Sequence, residues 1–199
     1  MLKLSKIEKS FGDKKVLSSV SLTVEKGDRA MLFGMSGCGK TTLLRIAAGL
    51  EKQDVGTVEK KGTAAVVFAE PRLFPTATVL ENVTAVIKDK REAKKKAREI
   101  LEAFGLGDAE KLYPSELSTG MAARVSLARA VAYDADIYLM DEPFKSLDEE
   151  IKRSVVSYLK TFFSDKAVLI ISHDRDEAEM MDADVYLMEN GVLMKSKNA

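Results

Sequence analysis

The sequence predicts an α/β fold: a parallel sheet covered by helices, fronted by antiparallel strands. Three observations predict it. A short apolar run, Ala30-Met31-Leu32-Phe33, enters the glycine-rich stretch Gly34-Met35-Ser36-Gly37-Cys38-Gly39-Lys40-Thr41, and Thr42 to Ala48 then reads as a helix stopped by Gly49. Two further apolar runs, Ile137-Tyr138-Leu139-Met140 and Ala167-Val168-Leu169-Ile170-Ile171, have the length and continuity of strands buried on both faces. Helical stretches lie between these runs, as parallel connections require.

At the front, residues 2–11 alternate as a strand does, and Gly12-Asp13-Lys14-Lys15 makes a turn. Val16 to Val24 alternates apolar residues with Ser or Thr, the pattern of a half-buried strand. Glu25-Lys26-Gly27-Asp28 is a second turn. The front is therefore β-rich and antiparallel. Phe11 closes the first strand, and its ring face suits stacking on a base. A core or edge aromatic accounts for it nearly as well.

Strand, glycine-rich turn and helix form the context of a phosphate-binding loop. The glycines of Gly34, Gly37 and Gly39 let the backbone bend around an anion, and Ser36, Cys38 and Thr42 lie in the same run of inward N–H groups. The helix behind adds its positive dipole end. Lys40 can reach terminal phosphates, and Thr41 offers a hydroxyl to Mg²⁺. The ligand implied is a nucleoside triphosphate with Mg²⁺.

After Gly49, residues 50–58 read as a turn and a short strand, and residues 62–68 as a buried strand. Ala69 to Pro75 must be loop, because two prolines bracket it. Thr78-Val79-Leu80-Glu81 is a capping box opening a helix to about Ile87. Residues 89–104 are strongly helical, with Lys94, Lys95, Lys96 and Arg98 as a solvated face and Ile100, Leu101 and Phe104 toward the core. Leu117-Ser118-Thr119-Gly120 leads into a helix from Met121 to about Tyr133, whose first turn can bind an anion or simply be capped by Ser118 or Thr119.

The strand over Ile137 to Met140 ends in Asp141-Glu142-Pro143. Acids at the C-terminal end of a parallel strand sit at the ligand crevice beside the phosphate loop. Asp141 is placed to hold the Mg²⁺ shell, and Glu142 to accept a proton from an attacking water. Ser146-Leu147-Asp148 precedes a helix over roughly 149–163. Ser172-His173 ends the next buried strand, which puts the sole histidine at the same crevice. A helix to Met181, a strand over residues 183–188 and a hairpin turn at Glu189-Asn190-Gly191 follow. The remaining length leaves no room for another domain.

Composition narrows the function classes. The 199 residues carry 31 Lys plus Arg and 31 Asp plus Glu, for a net charge of zero, so no global attraction to nucleic acid or an anionic membrane is expected. A single Cys excludes an internal disulfide and suits a reducing compartment. Neither a signal peptide nor a membrane-spanning segment is expected, so any membrane role comes through a partner.

With these motifs in order, the chain resembles the ATP-binding subunit of an ABC transporter. Gly34–Thr41 matches its Walker A, Leu117–Met121 its signature motif, and Ile137–Glu142 its Walker B with the catalytic glutamate. Ser146-Leu147-Asp148 matches the D-loop, Ser172-His173-Asp174 the switch histidine, and Phe11 the adenine-stacking position. Residues 67–83 further resemble the nitrate, sulfonate and taurine branch of importers.

The resemblance implies a P-loop NTPase (RecA-like) core with an N-terminal antiparallel β-subdomain and an inserted α-helical subdomain. Residues 1–68 and 134–199 would form the core and β-subdomain, and residues 69–133 the helical one. It implies ATP and Mg²⁺ as ligands, and hydrolysis by Glu142 with His173. It also implies a second ATPase subunit, whose Walker A would face Ser118, Thr119, Gly120 and Met121 in trans. Permease subunits would dock near residues 69–76 and hold the protein at the inner face of the cell membrane. In several places the chain departs from the family pattern. The loop glutamine falls on Ala69, the signature's first glycine is Thr119, the segment between Gly49 and Phe68 is short, and the C-terminal regulatory extension of some importers is missing. Ala69 and Thr119 keep a low-turnover ATP-gated switch open as an alternative, alongside a soluble ABC ATPase not engaged in transport.

Overall fold

A computed structural model describes residues 1–196; the last three residues of the 134–199 span lie outside it. Strands β1 (Leu2–Phe11), β2 (Lys14–Val24) and β4 (Val55–Lys60) form an antiparallel sheet in the order β2-β1-β4. The second sheet holds β3 (Arg29–Phe33), β5 (Ala64–Val67), β6 (Ile137–Asp141), β7 (Ala167–Ile171), β8 (Asp184–Glu189) and β9 (Val192–Lys195), ordered β5-β6-β7-β3-β8-β9. All its pairings are parallel except β8 with β9. The Asn190-Gly191 turn between those two has φ of 48° and 74°, the left-handed pair that a tight hairpin needs.

Side chains alternate across the parallel sheet, and each face builds its own core. Ala30, Leu32, Ile137, Leu139, Leu169 and Ile171 face α1 (Lys40–Ala48) and the antiparallel sheet. Met31, Phe33, Tyr138, Met140, Val168 and Ile170 face the opposite way, toward α2 (Val79–Thr84), α3 (Ala93–Ala103), α4 (Thr119–Tyr133) and α5 (Glu149–Phe162). β3, β6 and β7 are buried along their whole length apart from Arg29, which explains their unbroken apolar sequence. Among the described residues no helix is long and apolar enough to cross a membrane.

Several element ends differ from the sequence expectation. α2 stops at Thr84 rather than near Ile87; Ile87 is buried in a turn, so its apolarity signals packing and not helix. α3 starts at Ala93, not 89, because the Asp89 carboxylate accepts the Arg91 N–H at 2.9 Å and holds a turn against the helix. β5 is shorter than residues 62–68, since Thr63 gives its N–H to the Asp136 carboxylate at 2.8 Å. α4 starts at Thr119, earlier than Met121. The Thr78–Glu81 capping box forms, with bonds of 3.2 and 2.8 Å. Helix α6 (Asp176–Met181) completes the fold.

Candidate functional site

The C-terminal ends of β3, β6 and β7 lie side by side, with Leu32 and Asp141 both in register with Ile171. A cleft of about 330 Å³ opens above them. Its walls include Phe11, Ser36, Gly37, Gly39, Lys40, Thr41, Thr42, Asp141, Glu142 and His173.

The loop from β3 to α1 forms one wall. Gly39 caps α1 at φ 110°, and a Cβ there would lie 2.9 Å from the Val16 carbonyl. The loop is thus pressed onto β2, at a distance only glycine permits. Lys40 is buried and folds back across the loop, its ammonium donating to the Gly34 and Met35 carbonyls at 2.6 and 3.0 Å. Cys38 is half-buried, with Sγ 3.8 Å from the same ammonium. Gly34 and Cys38 are not among the residues that line the cleft.

Strand β6 delivers the acids. The Thr41 hydroxyl donates to Asp141 Oδ2 at 3.0 Å. Burial pushes the Asp141 carboxyl above the usual aspartate range; Thr41, Lys40 and His173 pull it down, and Glu142 adds to the rise. Glu142 sits just past the strand, its N–H held by the Ile171 carbonyl at 2.9 Å. Its backbone is left-handed, with φ of 47°, a strained conformation for a residue with a side chain. Its two carboxylate oxygens face different partners: Oε1 lies 2.9 Å from His173 Nε2, and Oε2 lies 2.9 Å from the Lys145 ammonium.

Phe11 is 51% exposed at the cleft mouth, so it is not a core residue. The Lys9 ammonium lies 4.9 Å from its ring centre. Ser118, Thr119, Gly120 and Met121 stand apart from the cleft, at the start of α4, where Ser118 Oγ accepts the Met121 N–H at 3.2 Å. Gly120 packs so closely on the loop after β6 that a Cβ would lie 2.6 Å from the Ser146 carbonyl. Asp148 caps α5 by accepting the Ile151 N–H at 3.1 Å. Ala69 is exposed and does not line the cleft.

The loop of residues 69–76 has a defined shape. Buried Asn82 accepts the Phe74 N–H at 2.8 Å and donates to the Ala77 and Thr78 carbonyls, both at 3.0 Å. Arg129 donates to the Arg72 carbonyl at 2.6 Å, and the Arg72 guanidinium lies 3.9 Å from the Phe68 ring centre. Phe74 is left half exposed.

Sequence reasoning missed four residues here. Lys14, Val16 and Ile171 line the cleft, and Lys145 pairs with Glu142. Only Lys145 left a signal, as a cation three residues beyond an acid.

A family profile described as ABC transporter matches residues 17–145. The aliphatic sulfonates import ATP-binding protein SsuB 3 of Rhodococcus jostii (strain RHA1) is 40% identical over 190 residues, 94% of this chain and 71% of that protein. The aliphatic sulfonates import ATP-binding protein SsuB of Corynebacterium glutamicum is 39% identical, over 96% of this chain and 81% of its own. The dimeric structure of MJ0796, a bacterial ABC transporter cassette, is similar with a TM-score of 0.89 at 26% identity over the whole of both chains. A post-hydrolysis state of that cassette, bound to ADP and Pi, matches equally well.

Proposed function

The chain belongs to the ABC transporter family, and on that premise we propose that it is the ATP-binding and ATP-hydrolysing subunit of an importer. The solute is a small anionic or organic molecule, in line with the sulfonate importers it resembles. One observation carries the site: Lys40, the Thr41–Asp141 pair and the Glu142–His173 pair converge on a single cleft.

Lys40 and the loop amides of residues 34–42 hold the triphosphate, and Phe11 stacks on the base. Glu142 takes the proton of the attacking water, and His173 contacts the γ-phosphate. Thr41 and Asp141 suit Mg²⁺, which takes one or two protein oxygens besides those of phosphates and water. A hydroxyl and a buried carboxylate already 3.0 Å apart fit that role. When bound, Mg²⁺ supplies charge neutralisation on the phosphates.

Two copies sandwich ATP, each offering Ser118, Thr119, Gly120, Met121 and the Asp148 loop to the other. Closure drives a permease docked near residues 69–76, where Phe74 is exposed. The protein then rests on the inner face of the membrane through that permease. Ala69 and Thr119 favour a second reading, a switch of low turnover.

Phosphate release by purified chain under saturating ATP and Mg²⁺, with and without a permease that co-purifies with it, tests the proposal. Steady release, faster with the permease, is expected. Tight ATP binding without release favours the switch; no ATP binding overturns both.

A further inference from the structure

Behind His173 lies a buried cation that none of the roles above employs. Lys152, one turn into α5, is 7% exposed. Its ammonium is 2.9 Å from Glu149, 3.1 Å from Asp174 and 3.6 Å from Glu177. Glu177, on α6, is 4% exposed, and its other oxygen accepts the Ser172 hydroxyl at 2.6 Å. Ser172 Oγ in turn accepts the Asp174 N–H at 3.0 Å.

Both chain neighbours of His173 are therefore gripped, Ser172 through Glu177 and Asp174 by Lys152 directly. The imidazole itself is 52% exposed, and among the described residues its partner within ion-pair distance is Glu142. Its position depends on the turn that carries it. At the other end, the Lys152 N–H donates to the Asp148 carbonyl at 2.8 Å, within the capped first turn of α5. Burial works against the Lys152 charge, yet its bonds to Glu149 and Asp174 hold it above the usual lysine range. A buried cation satisfied by several carboxylates fixes geometry more than it adds stability.

We propose that Lys152 is a positioning residue for hydrolysis: it ties the Asp148-capped start of α5 to the turn carrying His173, so that the two move as one body. A second subunit pressing on the Asp148 loop thereby sets the imidazole at the γ-phosphate. This rests on the reading of His173 as a γ-phosphate contact.

His173 is the sole histidine, so its imidazole gives one unambiguous NMR signal. Lys152→Met is expected to displace that signal and to lower kcat about tenfold with the KM for ATP within about twofold, as lost orientation at a reacting group does. Lys152→Arg retains the parental signal and turnover. In a His173→Ala background, Lys152→Met costs nothing further. If Lys152→Met alone does not fold, because Glu177 loses its cation, the pair Lys152→Met with Glu177→Gln removes both charges and carries the same expectations. An unmoved His173 signal, or a loss that multiplies fully with His173→Ala, overturns the inference alone. A His173→Ala chain as fast as the parent overturns the reading of the site as well.

Discussion

Glu142 Oε1 and His173 Nε2 lie 2.9 Å apart, brought together by the adjacent ends of β6 and β7. Neither residue is near the other in sequence; strand register alone makes them a pair.

Glu142→Gln keeps the shape of this pair but not the basicity. An amide cannot accept the water's proton, so kcat is expected to fall about 10²- to 10⁴-fold, the range of general base catalysis. ATP binding persists, and an ATP-bound dimer accumulates on size exclusion. Parental turnover would remove Glu142 from the catalytic role.

Lys145→Ala frees the second carboxylate oxygen. Lys145 is 71% exposed, and such pairs contribute about 0.2–1 kcal/mol. Releasing Glu142 to turn toward water is expected to raise kcat about 1.5- to 5-fold in single-turnover phosphate release. A fall in rate would show that the ammonium assists the chemistry.

Asp141→Asn removes a carboxylate whose burial lifts its pKa above the unfolded value. The folded state then binds the proton more tightly than the unfolded one, so stability is lost as pH rises through that raised value. At pH 7 the variant is expected to melt at a higher temperature than the parent. The difference vanishes below the ordinary aspartate range, where both states are protonated. Scanning calorimetry at pH 7 and near pH 3 reads this. Metal-dependent hydrolysis is lost at the same time, because a neutral amide holds Mg²⁺ poorly.

Ala69→Gln restores a side chain able to hydrogen-bond to a water or its metal. Positioning is most of phosphoryl transfer, so kcat is expected to rise about three- to thirtyfold with KM little changed. Ala69 is exposed and off the cleft wall, so the gain requires its loop to swing inward. A variant no faster than the parent removes the main support for the low-turnover reading.

The parts of the site that were legible in the sequence are those whose chemistry is local. The glycines, Lys40 and Thr41 of the phosphate loop, and Asp141-Glu142 at a strand end, announce themselves through spacing and a switch from apolar to acidic. The Thr78–Glu81 capping box was readable for the same reason. What stayed hidden depends on register between distant segments. Lys152 reaches from α5 to Asp174 in the turn before α6 and to Glu177 on α6, and no local pattern signals these two contacts; only its pair with Glu149 has helical spacing. The start of α3 falls later than the sequence pattern predicts, because one Asp89 side chain outcompetes a helical propensity summed over many residues.

The left-handed backbone at Glu142 has a consequence for engineering and for drift. Glycine or asparagine would relax that conformation, so replacing the carboxylate proposed as the general base is expected to stabilise the fold while ending turnover. A library sorted by expression level or heat resistance alone will enrich those replacements. Only a selection that also demands turnover keeps glutamate there, which makes position 142 a sensitive gauge of whether a lineage still hydrolyses its nucleotide.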